Sequence, residues 1–155
     1  KILDFPPDMS WKICDVPAVV EAGRELARTN DHPARLSFTE HFAEGEGSDI
    51  LFTSGCLQYL QDTLAQRVSS WQSRPRWILI NLLPLHGSRE YWTVQSIGSA
   101  FCPYRIQHEG TFLSEMTALG YHLMDKWENL EKRCEVKFQP AYSLDRYFGA
   151  AFRLE

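Results

Sequence analysis

Two stretches near the start of the chain, "KILDF" (residues 1–5) and "WKICDV" (residues 11–16), both read as short buried strands, and only "PPDMS" separates them. If the two strands are neighbours in a parallel sheet, this link is too short. A crossover between parallel neighbours takes a dozen or more residues and usually contains a helix. Five residues at about 3.3–3.6 Å each can run the length of a strand but cannot add a covering helix. The spacing therefore predicts that roughly 20–40 residues of a βαβ unit are missing from the sequence between Phe5 and Pro6. The chain also begins at Lys1 rather than at methionine, and it reads as part of a longer protein.

The remaining pattern alternates strands with helices. Residues 17–28 place Val19, Val20, Gly23, Leu26 and Ala27 on one helical face, with a proline in the first turn. Residues 35–39 read as a short strand and residues 43–48 as a Gly/Glu-rich surface link. Residues 49–55 ("DILFTSG") form a continuous apolar strand ending in small residues, as buried parallel strands do. Leu57, Leu60, Leu64 and Val68 predict a helix over 57–71. Residues 76–84 ("RWILINLLP") give the strongest strand signal, apolar on both alternating faces. A long segment after Pro84 shows few regular signals and reads as a functional loop. A helix over 111–119, capped by Thr111 and ended by Gly120, precedes two strands over 121–128 and 147–154. Residues 49–55 and 76–84 are expected to be central parallel strands, with 147–154 antiparallel near them. Alternation of this kind argues for a single α/β domain over 1–155 with its sheet covered on both faces.

Composition narrows the function. The 155 residues, 44% of them hydrophobic, are enough for one packed core. Sixteen basic residues against 20 acidic ones give a formal charge of −4, and Lys and Arg are nowhere concentrated, which argues against nucleic acid as a partner. No apolar run approaches the roughly 20 residues that cross a bilayer, and the first residues are not a signal peptide, so a cytoplasmic protein is expected. Cys14, Cys56, Cys102 and Cys134 lack C-x-x-C spacing and read as buried free thiols. His32, His41, His86, His108 and His122 lack metal-ligand spacing, so no metal is assigned.

In order, the elements are a strand ending in Asp4, a strand ending in Asp15, a helix, a strand, a strand ending in Ser54-Gly55, a helix, a long strand, a loop, a helix and two closing strands. This order resembles the class I S-adenosylmethionine-dependent methyltransferases. More narrowly, "LDF", "W-x-I-x-D-V-P-A-V-V-E-A-G", "L-S-F", "D-I-L-F-T-S-G-C-L-Q-Y-L", "W-I-L-I-N-L-L-P", "T-V-Q" and "L-G-Y" resemble a family of bacterial methyltransferases linked to cell-surface polysaccharide loci. The resemblance implies a Rossmann-like, doubly wound α/β sheet of about seven strands, mostly parallel with an antiparallel last strand. It also implies S-adenosyl-L-methionine as cofactor. The family's glycine-rich turn after the first strand is absent, since "LDF" runs straight into "PPDMS". That turn belongs to the segment expected between Phe5 and Pro6, and a true bond there would favour a non-catalytic module.

By the same resemblance, Asp15, with Val16 beside it, stands where an acid accepts hydrogen bonds from both ribose hydroxyls; a carboxylate suits a diol because it accepts without donating. Asp15 can also cap the helix that follows, and the two roles can coexist. Asp4 resembles the acid that supports the glycine turn or the cofactor's ammonium group. Phe38 and Thr39, with Glu40, follow the third strand where the family contacts adenine, although Phe38 also suits the core. Ser54, Gly55 and Cys56 end a strand at the sheet's switch point, where ligands of open α/β sheets bind. Gln58 and Tyr59 follow and could orient cofactor or acceptor. Asn81 is an amide inside an apolar strand and must find partners, from a bound substrate or the adjoining loop. Gln95, Tyr104 and His108 lie on the acceptor side; Gln95 is a candidate substrate contact, and Tyr104 and His108 are candidate catalytic groups. His86 and His108 suit a general base because imidazole titrates near neutral pH.

The expected reaction is methyl transfer to an O or N nucleophile of a small-molecule or sugar-like acceptor, by a protein compatible with a homodimer. In-line displacement at a sulfonium carbon relies mostly on alignment, so no catalytic triad is needed. A binding or scaffolding module that keeps the fold is the alternative. A nicotinamide oxidoreductase fits less well, because G-x-G-x-x-G is absent.

Overall fold

The computed structural model describes residues 6, 8–29 and 35–155. The strand expected over 1–5, Asp4 and the Phe5–Pro6 junction lie outside the described residues. The chain divides into two compact units, Lys1–Glu46 and Gly47–Glu155.

In the first unit β1 (Trp11–Cys14) and β2 (Leu36–Thr39) pair in parallel, with Trp11 opposite Leu36 and Cys14 opposite Thr39. The helix α1 (Pro17–Thr29) connects them. Its proline sits at the first helical position, where the missing N–H has no intrahelical partner to lose. Val20 and Ala27 are buried, and Gly23 lets Phe38 of β2 approach so closely that a Cβ on it would lie 2.3 Å from the ring. Val19 and Leu26, expected on the buried face, are exposed. So is all of β1, contrary to the buried strand expected there.

The second unit contains a four-stranded sheet in the order β3 (Ile50–Ser54), β4 (Trp77–Leu83), β9 (Tyr147–Leu154), β8 (Tyr121–Asn129). Strands β3 and β4 are parallel, whereas β9 runs antiparallel to both of its neighbours. The continuous apolar character of "WILINLL" becomes an inner strand with Ile78 and Ile80 buried. Phe152 of β9 meets Phe112 edge-on at 5.9 Å, and the Tyr121 hydroxyl donates to the Pro75 carbonyl at 2.7 Å. Near the carboxyl end of β4 the register with β9 shifts between Ile80 and Leu83, and Leu82 adopts φ 54°. A branched side chain in the left-handed region is strained, and this bulge lies beside Gly55. The Gly55 N–H donates to the Asn81 carbonyl at 3.0 Å.

A second sheet follows the order β5 (Leu85–His86), β7 (Phe101–His108), β6 (Tyr91–Ser96). This corrects the loop expected after Pro84. Tyr91, Thr93 and Gln95 alternate with more exposed neighbours along β6, as strand residues with two unlike faces do. Among the described residues there are thus nine strands in three sheets, with as many parallel as antiparallel pairings. The architecture is α/β with mixed sheets rather than one mostly parallel sheet of about seven strands. The antiparallel last strand is as expected.

Two helices also differ from expectation. The helix over 57–71 is a 3₁₀ turn (Leu57–Tyr59) followed by α2 (Leu64–Ser69). Thr63 interrupts it, because its hydroxyl accepts the Gln66 N–H while the Gln66 side chain accepts the Thr63 N–H, a reciprocal cap that starts a new helix. The helix α3 (Glu109–Ala118) is capped by the His108 imidazole, not by Thr111; Nδ1 accepts the Thr111 N–H at 3.2 Å. Gly120, with φ 89°, ends it as expected.

Candidate functional site

Asp15 leaves the carboxyl end of β1 exposed, and its carboxylate accepts the Val16 N–H at 2.8 Å. Val16 is exposed too. The Asp15 N–H donates to the Thr39 carbonyl at 3.2 Å, which ties the carboxyl ends of β1 and β2 together. Thr39 is buried and its hydroxyl accepts the His41 N–H, while Phe38 is half-buried against Gly23. Asp15, Val16, Phe38 and Thr39 therefore gather at one end of a parallel pair, the end at which ligands of such sheets bind.

In the second unit Ser54, the last residue of β3, lies opposite Asn81, near the carboxyl end of β4. Gly55 takes φ 66°, a turn that glycine adopts without strain. The 3₁₀ turn that follows buries Gln58, whose Oε1 has no hydrogen-bond partner. A buried amide oxygen without a donor is an acceptor in waiting. Tyr59 donates its hydroxyl proton to Gln95 Oε1 at 2.6 Å and meets the Tyr104 ring edge-on at 5.3 Å. Tyr104, 3% exposed, shares a hydrogen bond with the Tyr147 hydroxyl at 2.8 Å. Ser54, Gly55, Gln58, Tyr59, Asn81, Gln95 and Tyr104 are thus linked through one region.

Asn81 finds its partners inside the protein. Its Oδ1 accepts both the Trp127 indole N–H and an Asn129 amide N–H at 3.1 Å, reaching across β9 above Gly149. His108 stands apart, four residues beyond Tyr104 on β7, about 13 Å along the strand. Because its Nδ1 accepts a backbone N–H, its neutral form carries the proton on Nε2 and has no free lone pair for base work there. His86 is held similarly, with Nδ1 accepting the Ser88 N–H and Nε2 on the Ala141 carbonyl.

Burial raises the Tyr59, Tyr104 and Tyr147 phenols above their ordinary range, Tyr104 most, and Tyr147's hydrogen bond adds to the effect on Tyr104. These groups are neutral hydroxyls near pH 7, suited to donating rather than abstracting protons. Burial likewise raises the Cys134 thiol. All four cysteines are free, but Cys14 and Cys56 are exposed and the other two only half-buried, so the buried thiols expected are not found. Tyr147 and Cys134 were not legible as site residues; neither carries a local motif, and each reaches the site through pairings of residues far apart in sequence.

No family model matches the chain, and no curated protein does. Solved structures do. The chain is similar to the Burkholderia thailandensis 1,6-didemethyltoxoflavin-N1-methyltransferase, crystallised with 1,6-didemethyltoxoflavin and S-adenosylhomocysteine, at 18% identity and TM-score 0.52 over 85% of this chain and 56% of that one. It is also similar to the glycopeptide N-methyltransferase MtfA in complex with S-adenosyl-L-methionine, at 10% identity and TM-score 0.55 over 90% and 75% of the two chains. The chain thus spans little more than half the length of the first of these. The likeness defines the fold as that of the S-adenosylmethionine-dependent methyltransferases.

Proposed function

We propose that this chain transfers a methyl group from S-adenosyl-L-methionine to an O or N nucleophile of a small-molecule or sugar-like acceptor. The observation that carries the reading is the carboxyl end of β3, where a left-handed glycine turn leads into a buried glutamine with an unsatisfied amide oxygen. A polar atom held dry without a partner suits a ligand bearing N–H groups, and the fold likeness to methyltransferases whose structures contain S-adenosylmethionine or S-adenosylhomocysteine supports this cofactor.

When bound, S-adenosylmethionine supplies an electrophilic methyl group. Asp15 accepts hydrogen bonds from ribose hydroxyls, with Val16, Phe38 and Thr39 lining its side of the first unit. In the second unit Gln58 Oε1 accepts from a cofactor N–H, and Ser54 and Gly55 leave room for close approach. Gln95, through its amide N–H groups, and Tyr104 orient the acceptor by donating hydrogen bonds, and Tyr59 holds Gln95 in place through its own hydroxyl proton. Asn81, a candidate substrate contact, has its Oδ1 engaged by Trp127 and Asn129 and offers a ligand only its amide N–H groups. Alignment then supplies the rate. The finer reading is a cytoplasmic bacterial enzyme of a kind linked to cell-surface polysaccharide loci.

Calorimetric titration of the full-length protein with S-adenosylmethionine and with NAD tests this. Saturable heat with the first and none with the second is expected. Heat with NAD alone would indicate an oxidoreductase, and heat with neither a non-catalytic module.

A further inference from the structure

The second unit holds a half-open cleft of about 240 Å³, lined among others by Gln95, Tyr104, Cys134 and Tyr147, with the exposed Arg133 and Glu135 at its mouth. It is smaller than the roughly 300–1,000 Å³ of sites for drug-sized ligands, so its size suits a single ring.

The chemistry of its lining is specific. The Tyr104 and Tyr147 hydroxyls are paired at 2.8 Å, and neither has another hydrogen-bond partner among the described residues. Each hydroxyl carries one proton, and the bond between them uses only one. The pair therefore has one O–H donor left over, on two residues that both border the cavity. Gln95 has its Oε1 occupied by Tyr59, which leaves its amide N–H groups as donors. Arg133 and Glu135 border the same cavity, and among the described residues neither side chain has an ion-pair or hydrogen-bond partner. The lining thus combines several donors with one carboxylate that only accepts. Arg133 and Glu135 offset each other, so a ligand with a net charge would leave one of the two facing a like charge. A hydroxyl both donates and accepts, so a neutral ring with adjacent hydroxyls meets both kinds of group.

We propose that this cavity is the acceptor subsite, that it takes a neutral, single-ring polyhydroxylated acceptor of the monosaccharide class, and that the Tyr104–Tyr147 pair recognises one of its oxygens with the leftover O–H. The proposal rests on the methyl-transfer reading above for the word acceptor, and on the cavity alone for the ligand class. The pair stays protonated near neutral pH, because burial raises both phenols, which keeps the donor available. The turn carrying Gln58 is joined to the cavity through Tyr59, which touches both Gln95 and Tyr104.

The test uses the full-length protein, with methyl α-D-glucopyranoside as probe and glucuronate as its charged counterpart. Cys134 reports occupancy: its alkylation by N-ethylmaleimide, located by peptide mass mapping, is expected to slow at least threefold with the glucoside, to change little with glucuronate, and to leave Cys14 alkylation unaltered. Tyr104→Phe/Tyr147→Phe, which keeps both rings, should weaken glucoside protection about tenfold, and each single variant should weaken it less, because the surviving hydroxyl still offers a proton. Should the double variant fail to fold, Thr93→Phe, which adds bulk at another lining position, is expected to abolish protection. Absence of protection in the wild type, equal protection by glucuronate, or full protection in a folded double variant would each overturn the proposal. Cofactor binding is measured separately: protection by the glucoside in a protein that gives no heat with S-adenosylmethionine would keep the ligand class and overturn methyl transfer.

Discussion

Asp15 illustrates how one side chain serves the local backbone and a ligand together. Its carboxylate occupies one lone pair on the Val16 N–H and is otherwise exposed, so accepting from a diol requires no rearrangement. Asp15→Ala is expected to weaken S-adenosylmethionine binding by about 1–3 kcal/mol, the usual loss for a charged hydrogen-bond partner. Calorimetry of a variant with wild-type circular dichroism measures it, and unchanged affinity would remove Asp15 from the site. The tyrosines make a second expectation at this scale. Burial raises Tyr59, Tyr91, Tyr104, Tyr121 and Tyr147, with Tyr91 pushed up to about 12. In the unfolded chain these phenols ionise near pH 10, so folded and unfolded states hold the same protons below that value and stability is level there. Above it the unfolded state sheds protons that the folded state keeps, and stability falls as pH rises through about 10 to 12. Denaturant unfolding across this range, with phenolate absorbance followed in parallel, should show the loss; a flat profile above pH 10 would contradict the raised values.

Among the secondary-structure elements, those whose burial is simple were legible. The run "WILINLL" is apolar on both alternating sets because β4 is an inner strand none of whose residues is fully exposed, with Ile78, Ile80 and Leu83 buried and the others half-buried, and proline at the start of α1 marks its beginning. Segment 85–108 was illegible because its strands mix aromatic, polar and β-branched residues, and Pro103 inside β7 speaks against a strand. The break at Thr63 was hidden because Leu57, Leu60, Leu64 and Val68 fit one helical stripe, while two local hydrogen bonds decide otherwise. The candidate site was half legible: strand-end residues announce themselves, whereas the Tyr104–Tyr147 pair joins positions 43 apart in sequence. His108 looked like a base and is a cap. His108→Ala should therefore destabilise the protein by about 1 kcal/mol, and His108→Asn, a good capping residue, should restore most of it. Urea unfolding measures both, and equal losses in the two variants would argue against the cap.

At the scale of the whole molecule, the second unit depends on its final strand. Tyr147–Leu154 lies between β4 and β8, so it completes the pairing of both. Deleting it would leave β8 without a strand partner among the described residues and open one edge of β4. Removal of these eight residues is expected to abolish the cooperative thermal transition of the second unit, as followed by near-ultraviolet circular dichroism. A retained transition would mean that the rest of the unit folds without it. The same position in the sheet imposes a timetable on biosynthesis. The strand that closes the sheet follows all of its neighbours off the ribosome, so β4 and β8 emerge with unpaired edges and must wait. Throughout that interval the nascent chain carries unpaired strand edges of the aggregation-prone kind, and the second unit completes its sheet only after Leu154 has cleared the exit tunnel.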